Sequence, residues 1–382
     1  MKRILFIATS SINSLSGGGL ANRALFNALD SRYPGMVDVV MQEDGNRYPD
    51  NFFIMKRTSL SERILNTLLC KTGHRYNKFV FNLIDKGNSE YSHCIINTGL
   101  FGNMVSGLHE RGIKVATIHH NYEPEFQRDN KRPSTFWGLT TRSVGNSEKM
   151  AFSDSDMNMF LTKSDLQKFQ SVYGPISKGK DYVIGIFDAE HHEKRIDINP
   201  VSQNKLVICG SLDSVQTLAG IRSFEKMYLP VLHEFYEDDF TLTLTGRSPG
   251  KHICNLVKRD RNLNLVASPE DISEVVYQSG IFICPTNVGG GLKLRILDGL
   301  KIGLPIITHE ISARGYDMFF DKDWFQVYND EESFRKALIT INELITERPN
   351  IRQDILDDYY DAFSFIEGKR SYIEHVEEFL RS

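Results

Sequence analysis

The sequence predicts an α/β protein of two doubly wound, Rossmann-like halves, each a parallel sheet with helices on both faces. Three observations carry this. Short apolar runs alternate with stretches of helical spacing along the chain, the pattern of a parallel sheet. The pattern lapses over Asp188 to Asn204, a polar stretch with few large apolar residues, and then restarts. Glycines follow several of the apolar runs, at Gly17-Gly-Gly19, Gly210, Gly246 and Gly289-Gly-Gly291, where the backbone must turn or approach something closely.

In the first half, Ile4 to Ala8 reads as a strand, Ser10 to Gly19 as a loop, and Leu20 to Leu29 as a helix. Val37 to Met41, Cys94 to Asn97, Val115 to Ile118 and Met159 to Thr162 are further strands, with a helix ending near Gly112. Ser164 N-caps the next helix, with Asp165 in its first turn. Val183 to Ile186 is the last strand of this half. In the second half, Leu206 to Cys209, Phe240 to Thr245, Leu263 to Val266, Ile281 to Cys284 and Leu304 to Thr308 are strands, with a turn over Gly246 to Pro249. Ala219 to Val231 reads as one helix, and Leu292, Ile296 and Leu300 as another, stopped by Gly303 and Pro305. Asp330 caps a helix to about Ile345, and Asp354 to Ser382 is helical. The expected division is 1–187, a linker 188–204, 205–360, and a final helix 361–382 packing back on the first half. Two halves facing each other would leave a cleft lined by the carboxyl ends of both sheets.

Composition fits a packed globular chain: 41% hydrophobic and 25% charged over 382 residues, with a net charge of -4 that gives no reason to expect nucleic acid. Cys70, Cys94, Cys209, Cys254 and Cys284 are odd in number, widely spaced and without CxxC, which suits a reducing compartment. The apolar run after Met1-Lys-Arg is too short for a signal peptide, and no stretch reaches membrane-spanning length. No His, Cys, Asp and Glu cluster has metal-ligand spacing; Asp154-Ser-Asp156 has the spelling of a cation site but precedes a strand. Neither glycine loop is GxGxxG or GxxxxGK[ST], so the dinucleotide and P-loop readings fail.

The most informative stretch runs from Cys284 through Gly289-Gly-Gly-Leu-Lys-Leu-Arg295 to Asp298 and Thr308. A glycine loop that opens a helix after a strand offers free N–H groups and the positive end of the helix dipole to a phosphate. Lys293 and Arg295 suit a diphosphate, and Asp298 one turn on suits a sugar hydroxyl. A plain structural corner fits the same glycines, and Asp298 could equally pair with Arg295 at i+3.

Taken together, Gly210-Ser-Leu-Asp, Gly246-Arg-Ser-Pro and the 285–305 block resemble the nucleotide-binding half of a GT-B glycosyltransferase, of the retaining family-four (group 1) kind. Gly17-Gly-Gly19, His119-His-Asn-Tyr-Glu123 and Phe160-Leu-Thr-Lys-Ser-Asp…Phe169 are similar to segments of that family's first half. The resemblance implies metal-independent, retaining transfer of a sugar from a nucleoside-diphosphate sugar, with no other cofactor. It implies that Asp298 holds the ribose and that His120 is catalytic, in contact with the donor sugar. Gly17, Gly18, Gly19, Gly210, Arg247, Gly289, Gly290, Gly291, Leu292, Lys293 and Arg295 would bind nucleotide and phosphate. The family's first acid of a Glu-x7-Glu pair falls on Gly290 and is missing, and Ser211 stands where an Arg is usual, with no Lys at Gln216 or Thr217. Those losses keep open a catalytically silent partner of another transferase; a nucleotide-sugar epimerase is the other alternative. The resemblance further implies a glycan or lipid-linked glycan acceptor in bacterial surface polysaccharide synthesis, in the cytoplasm at the inner face of the membrane. Ile54-Met-Lys-Arg57, Arg63, Lys71, Arg75 and Lys78 among Leu60, Leu65, Leu68 and Leu69 could dock peripherally on anionic lipid, or form an ordinary helix packed on its own sheet.

Overall fold

The computed structural model describes residues 2–14, 17–56, 59–69, 74–87, 90–130, 137–175, 179–194, 196–197 and 199–382. Arg57, Cys70 and Lys71 lie outside them, as do the side chains of Arg63 and Arg75. The chain forms two compact units: Met1–His192 with Phe363–Ser382, and Glu193–Ala362.

Among the described residues the first unit holds a seven-stranded parallel sheet: β1 (Arg3–Ala8), β2 (Val37–Gln42), β3 (Phe52–Met55), β4 (Tyr91–Asn97), β5 (Lys114–His119), β6 (Met157–Phe160) and β7 (Lys180–Val183). Their order is 3-2-1-4-5-6-7. The second unit holds a six-stranded parallel sheet: β8 (Lys205–Cys209), β9 (Thr241–Gly246), β10 (Leu263–Ala267), β11 (Ile281–Cys284), β12 (Ile306–His309) and β13 (Phe325–Tyr328), in the order 10-9-8-11-12-13. The α/β class and the two Rossmann-like sheets expected from the sequence are therefore present. Strand order reverses between β1 and β4 in one unit and between β8 and β11 in the other. Such a switch point opens a crevice at the carboxyl ends of the strands.

Helices α1 (Gly17–Arg32), α2 (Leu60–Leu68), α3 (His74–Lys86), α4 (Val105–His109), α5 (Glu123–Asn130), α6 (Trp137–Asp154) and α7 (Lys163–Tyr173) belong to the first unit. A 3₁₀ helix over Gly99–Met104 precedes α4. In the second unit lie α8 (Val215–Met227), α9 (Leu229–Phe235), α10 (Lys251–Arg259), α11 (Ile272–Tyr277), α12 (Ile296–Leu300), α13 (Glu331–Glu347) and α14 (Ile351–Phe363). The last helix, α15 (Phe365–Arg381), packs on α1 in the first unit, where Arg32 pairs with Glu377 and both Lys180 and Tyr182 bond Glu378.

Central strands are buried on both faces, as their continuous apolar runs require. β11 and β12 are buried at every residue, whereas the edge strands β3, β7, β10 and β13 are only partly so. The sequence reading missed β3 and β13 and placed β7 three residues late; β13 and β7 are edge strands that lack the full apolar run, whereas β3 is a four-residue apolar run that the reading passed over. Other corrections concern termini. The first helix begins at Gly17, so the three glycines form its first turn and not a loop before it. Thr162, not Ser164, caps α7, its hydroxyl accepting from the Asp165 N–H. The single helix expected over Ala219–Val231 is two, broken at Tyr228, because Pro230 suits a helix start and cannot donate within one. The C-terminal helix likewise breaks at Ser364, which caps α15.

Candidate functional site

At the second unit's switch point, the turns after β8 and β9 pack so closely that neither tolerates a side chain. A Cβ on Gly246 would lie 1.6 Å from the Gly210 carbonyl oxygen, and one on Gly210 would lie 1.9 Å from Arg295 Nη1. Gly210 thus leaves the space that Arg295 occupies. Arg295 Nη1 donates to Thr217 Oγ1 at 2.8 Å and to the Cys209 carbonyl at 3.2 Å. Its guanidinium therefore sits at the carboxyl end of β8, beside the first turn of α8. Arg247 lies on the adjoining turn and is exposed.

The glycine loop takes a form that the sequence did not foretell. Gly289 and Gly291 have positive φ, 92° and 75°, which only glycine adopts freely. Lys293 is 5% exposed and folds back beneath the loop. Its ammonium donates to the carbonyls of Gly289, Gly290 and Gly291 at 3.1, 3.0 and 3.4 Å, and to Gln216 Oε1 at 3.1 Å. A trans peptide points its C=O and N–H in opposite directions. With three consecutive carbonyls turned in on one ammonium, the N–H groups of Gly290, Gly291 and Leu292 turn away from it. None of those three N–H groups donates to another described residue. Such a run is a concavity for an anion.

This corrects the expected helix over Leu292–Leu300. A turn fills the next residues and α12 begins at Ile296, because Lys293 must reach back under the loop. The loop N–H groups, with Arg295, replace the helix dipole as the feature that would favour a phosphate. Asp298 lies in the first turn of α12, half-buried, and close enough to Cys209 for its charge to add to the burial that raises that thiol. Tyr316 donates to the Lys293 carbonyl at 3.0 Å and Ser312 to the Thr286 carbonyl at 2.6 Å, so the segment after β12 braces the loop. Tyr316 escaped the sequence reading, and Gln216 was read only as a position without the family's Lys. Only folding brings the two to the loop.

In the first unit, the switch point gathers Ser10 after β1, Asn97 at the end of β4 and His120 after β5. His120 Nε2 lies 2.6 Å from Asn97 Oδ1, and Asn97 Nδ2 donates to Asn22 Oδ1 at 2.7 Å. Asn22 sits on α1, one turn past the glycines. Gly17 and Gly18 are exposed, and a Cβ on Gly18 would meet nothing within 4 Å. Gly19 is different: its Cβ would fall 2.2 Å from the Ser14 carbonyl, so packing alone accounts for it. Burial pushes the His120 imidazole down to about 4. His119 points the other way, into a cluster with Phe152, Phe160 and Phe169, and burial pushes it to about 4 as well. Beside that cluster Glu148 is fully buried, accepting from the Glu123 N–H at 2.7 Å and the Tyr173 hydroxyl at 2.8 Å. Burial raises its carboxyl well above the usual range. Asn97 and Glu148 went unremarked in the sequence, since a single polar residue on an apolar strand or helix gives no sign of its partners.

Among the described residues, no group of three or more His, Cys, Asp and Glu is placed to hold a metal ion, and no helix is long and apolar enough to cross a membrane.

No family model matches the chain. An uncharacterised 44.6 kDa protein in the cps region of Klebsiella pneumoniae is 26% identical over 184 residues, which span 46% of this chain and 45% of that one. The match thus covers less than half the length of that relative. Among solved structures, sucrose-phosphate synthase from Thermosynechococcus elongatus superposes with a TM-score of 0.71 at 13% identity, covering 100% of each chain. HepE from Anabaena, in complex with UDP, gives 0.64 at 13% identity, covering 98% of this chain and 100% of that one. With both parallel sheets in Rossmann-like order and likeness over the full length, the chain has the GT-B fold.

Proposed function

We propose that this protein is a glycosyltransferase that takes a sugar from a nucleoside-diphosphate sugar. The observation that carries the reading is the loop Gly289–Leu292, whose carbonyls converge on the Lys293 ammonium and whose N–H groups turn outward beside Arg295. In transfer, the bond from the sugar's anomeric carbon to the diphosphate oxygen breaks and the electron pair stays with the diphosphate. Fixed N–H donors and a guanidinium stabilise that developing charge without reorganising. Asp298 takes the ribose hydroxyls, and the reaction needs no metal and retains configuration. The UDP in the HepE structure supports a uridine nucleotide as the first candidate.

The acceptor in this reading is a glycan or lipid-linked glycan of a bacterial surface polysaccharide, met at the inner face of the membrane. The cps-region relative supports it. So does α2 with the residue just after it, where Leu60, Ile64, Leu65, Leu68 and Leu69 are all exposed, as are Lys56 before α2 and Lys78 on α3. Exposed leucines on one helix, with exposed lysines before it and on the next helix, suit an anionic bilayer surface.

Calorimetric titration with UDP and GDP is the test. Binding to the wild type that disappears when Gly290 and Gly291 are both Val, with the circular dichroism spectrum unchanged, supports the site; equal affinity in both proteins rejects it. EDTA should leave transfer or donor hydrolysis unchanged. UDP binding with neither activity on any donor would favour a catalytically silent partner protein, a reading motivated by the glycine at position 290 where a family acid is usual. Co-sedimentation with phosphatidylglycerol vesicles at low and high salt tests the membrane contact, which no binding at low salt would exclude.

A further inference from the structure

The chain of hydrogen bonds through Asn22 and Asn97 has a direction, and an atom that can only accept sets it. The main-chain carbonyl of Ser10 has no proton to give. Asn22, 2% exposed, lies with one side-chain amide atom 3.2 Å from that oxygen and 2.8 Å from Ser10 Oγ. That atom must be Nδ2, so Asn22 Oδ1 faces Asn97. Asn97, 1% exposed, must then present Nδ2 to Asn22, 2.7 Å away, and Oδ1 to His120. An amide oxygen also only accepts. His120 Nε2, 2.6 Å from it, therefore carries the proton.

We propose that Asn22 and Asn97 are positioning residues that hold His120 as its Nε2–H tautomer, so that Nδ1 presents a lone pair to a substrate sugar hydroxyl. The proposal rests on the glycosyltransferase reading for the identity of the hydroxyl; the tautomer follows from the relay alone. Nε2 is committed to Asn97, and the ring keeps some exposure, so Nδ1 is the face left for a ligand. In this arrangement the ring accepts a hydrogen bond and keeps its own proton, and so it does not serve as a general acid. His119 provides an internal comparison. Asn158 donates to the Phe152 carbonyl at 3.0 Å, so its Oδ1 faces His119 Nε2 at 2.9 Å and sets the same tautomer. There, however, Nδ1 is enclosed without a partner among aromatic rings. The two adjacent histidines thus share one tautomer, but only His120 can offer its lone pair outward.

The test is a long-range ¹⁵N–¹H correlation spectrum of the full chain labelled in histidine, with His120→Gln to assign the ring. At pH 7 the expected pattern is a pyrrole-like Nε2 and a pyridine-like Nδ1 for His120. The reverse pattern, or an imidazolium, overturns the proposal; the spectrum is that of the wild type, and His120→Gln serves only to assign the ring. In Asn97→Asp a carboxylate still accepts from Nε2–H, but its charge favours the imidazolium, whose Nδ1 donates. For whichever of UDP-glucose, UDP-galactose, UDP-N-acetylglucosamine or GDP-mannose the wild type consumes, kcat/KM of that variant should fall relative to wild type as pH drops from 8 to 6. The fall approaches about tenfold per pH unit below the ring's new pKa. Parallel pH profiles for variant and wild type reject the lone-pair role. UDP titration separates the failures: the expected tautomer without nucleotide binding leaves the relay standing and removes the glycosyltransferase reading, while nucleotide binding with the wrong tautomer does the opposite.

Discussion

Lys293 and Arg295 are two residues apart and do different work. Lys293 spends its charge inside the protein, on carbonyls, where a buried ammonium needs several acceptors. Arg295 stands at the end of β8 in a space that only glycine at position 210 leaves open. Replacing Gly210 by Ala puts a methyl where Nη1 lies, and its φ of 156° resists a side chain as well. The expected result is a displaced guanidinium and UDP affinity weaker by about 1.5–3 kcal/mol, the worth of a charged hydrogen bond. An unchanged dissociation constant by calorimetry would remove Arg295 from the site. Acid stability is set by other side chains. His119 and His120 sit at about 4 in the fold against an ordinary 6.5, so the unfolded chain binds more protons between those values. Their contribution is whole above pH 6.5 and is lost as pH falls toward 4, at up to about 1.4 kcal/mol per pH unit for each ring. Glu148 has the opposite sign, since its raised carboxyl favours the fold below its ordinary 4.5 and loses that advantage as pH rises. Urea unfolding from pH 8 to 4 should show falling stability below 6.5, and a steeper fall in Glu148→Gln. A flat profile in the wild type would contradict the burial of both rings.

Close packing of whole elements depends on missing side chains too. The 3₁₀ helix after β4 lies against α6 at Gly102, where a Cβ would fall 1.9 Å from the Ser147 carbonyl and 2.4 Å from the Ala151 N–H nitrogen. The Gly102 N–H also donates to Ser147 Oγ, whose hydroxyl reaches the Leu100 carbonyl. Backbone atoms cannot swing aside as a lysine tip can. Gly102→Ala should destabilise the protein by about 1–3 kcal/mol through overpacking. Gly18→Ala, with open space at its Cβ, should leave stability nearly unchanged. Chemical denaturation of both variants decides; equal stability for the two would mean that α6 yields more easily than its packing implies.

The whole molecule is two units, and the first is completed by the end of the chain. Tyr372, Val376 and Phe379 of α15 are buried, Tyr372 near Phe187 and Phe379 against His93. Ending the chain after Phe363 would expose that apolar surface and strand Arg32, Lys180 and Tyr182 without their glutamates. Calorimetry of the truncated chain should show one transition moved down and another, from residues 193–362, kept in place. A uniform downward shift of all unfolding would mean that the units melt as one.

The sequence by itself determined the class of fold, the central strands and the place of the glycine loop after β11. Apolar runs such as Ile281–Cys284, bounded by turn residues, read as buried strands, and the glycines at 289–291 mark a place where the backbone takes positive φ. Edge strand β13 was invisible in it, since its Phe-Gln-Val-Tyr run mixes apolar and polar residues; β3 is apolar throughout but only four residues long. Only the tertiary structure decided what each charge does. Whether Lys293 faces a ligand or its own loop, which face of α2 is left open, and which way Asn22 and Asn97 point depend on partners distant in the chain. A hydrogen bond between residues 75 apart, such as Asn97 to Asn22, leaves no spacing to read. Its direction follows from one main-chain carbonyl that can only accept.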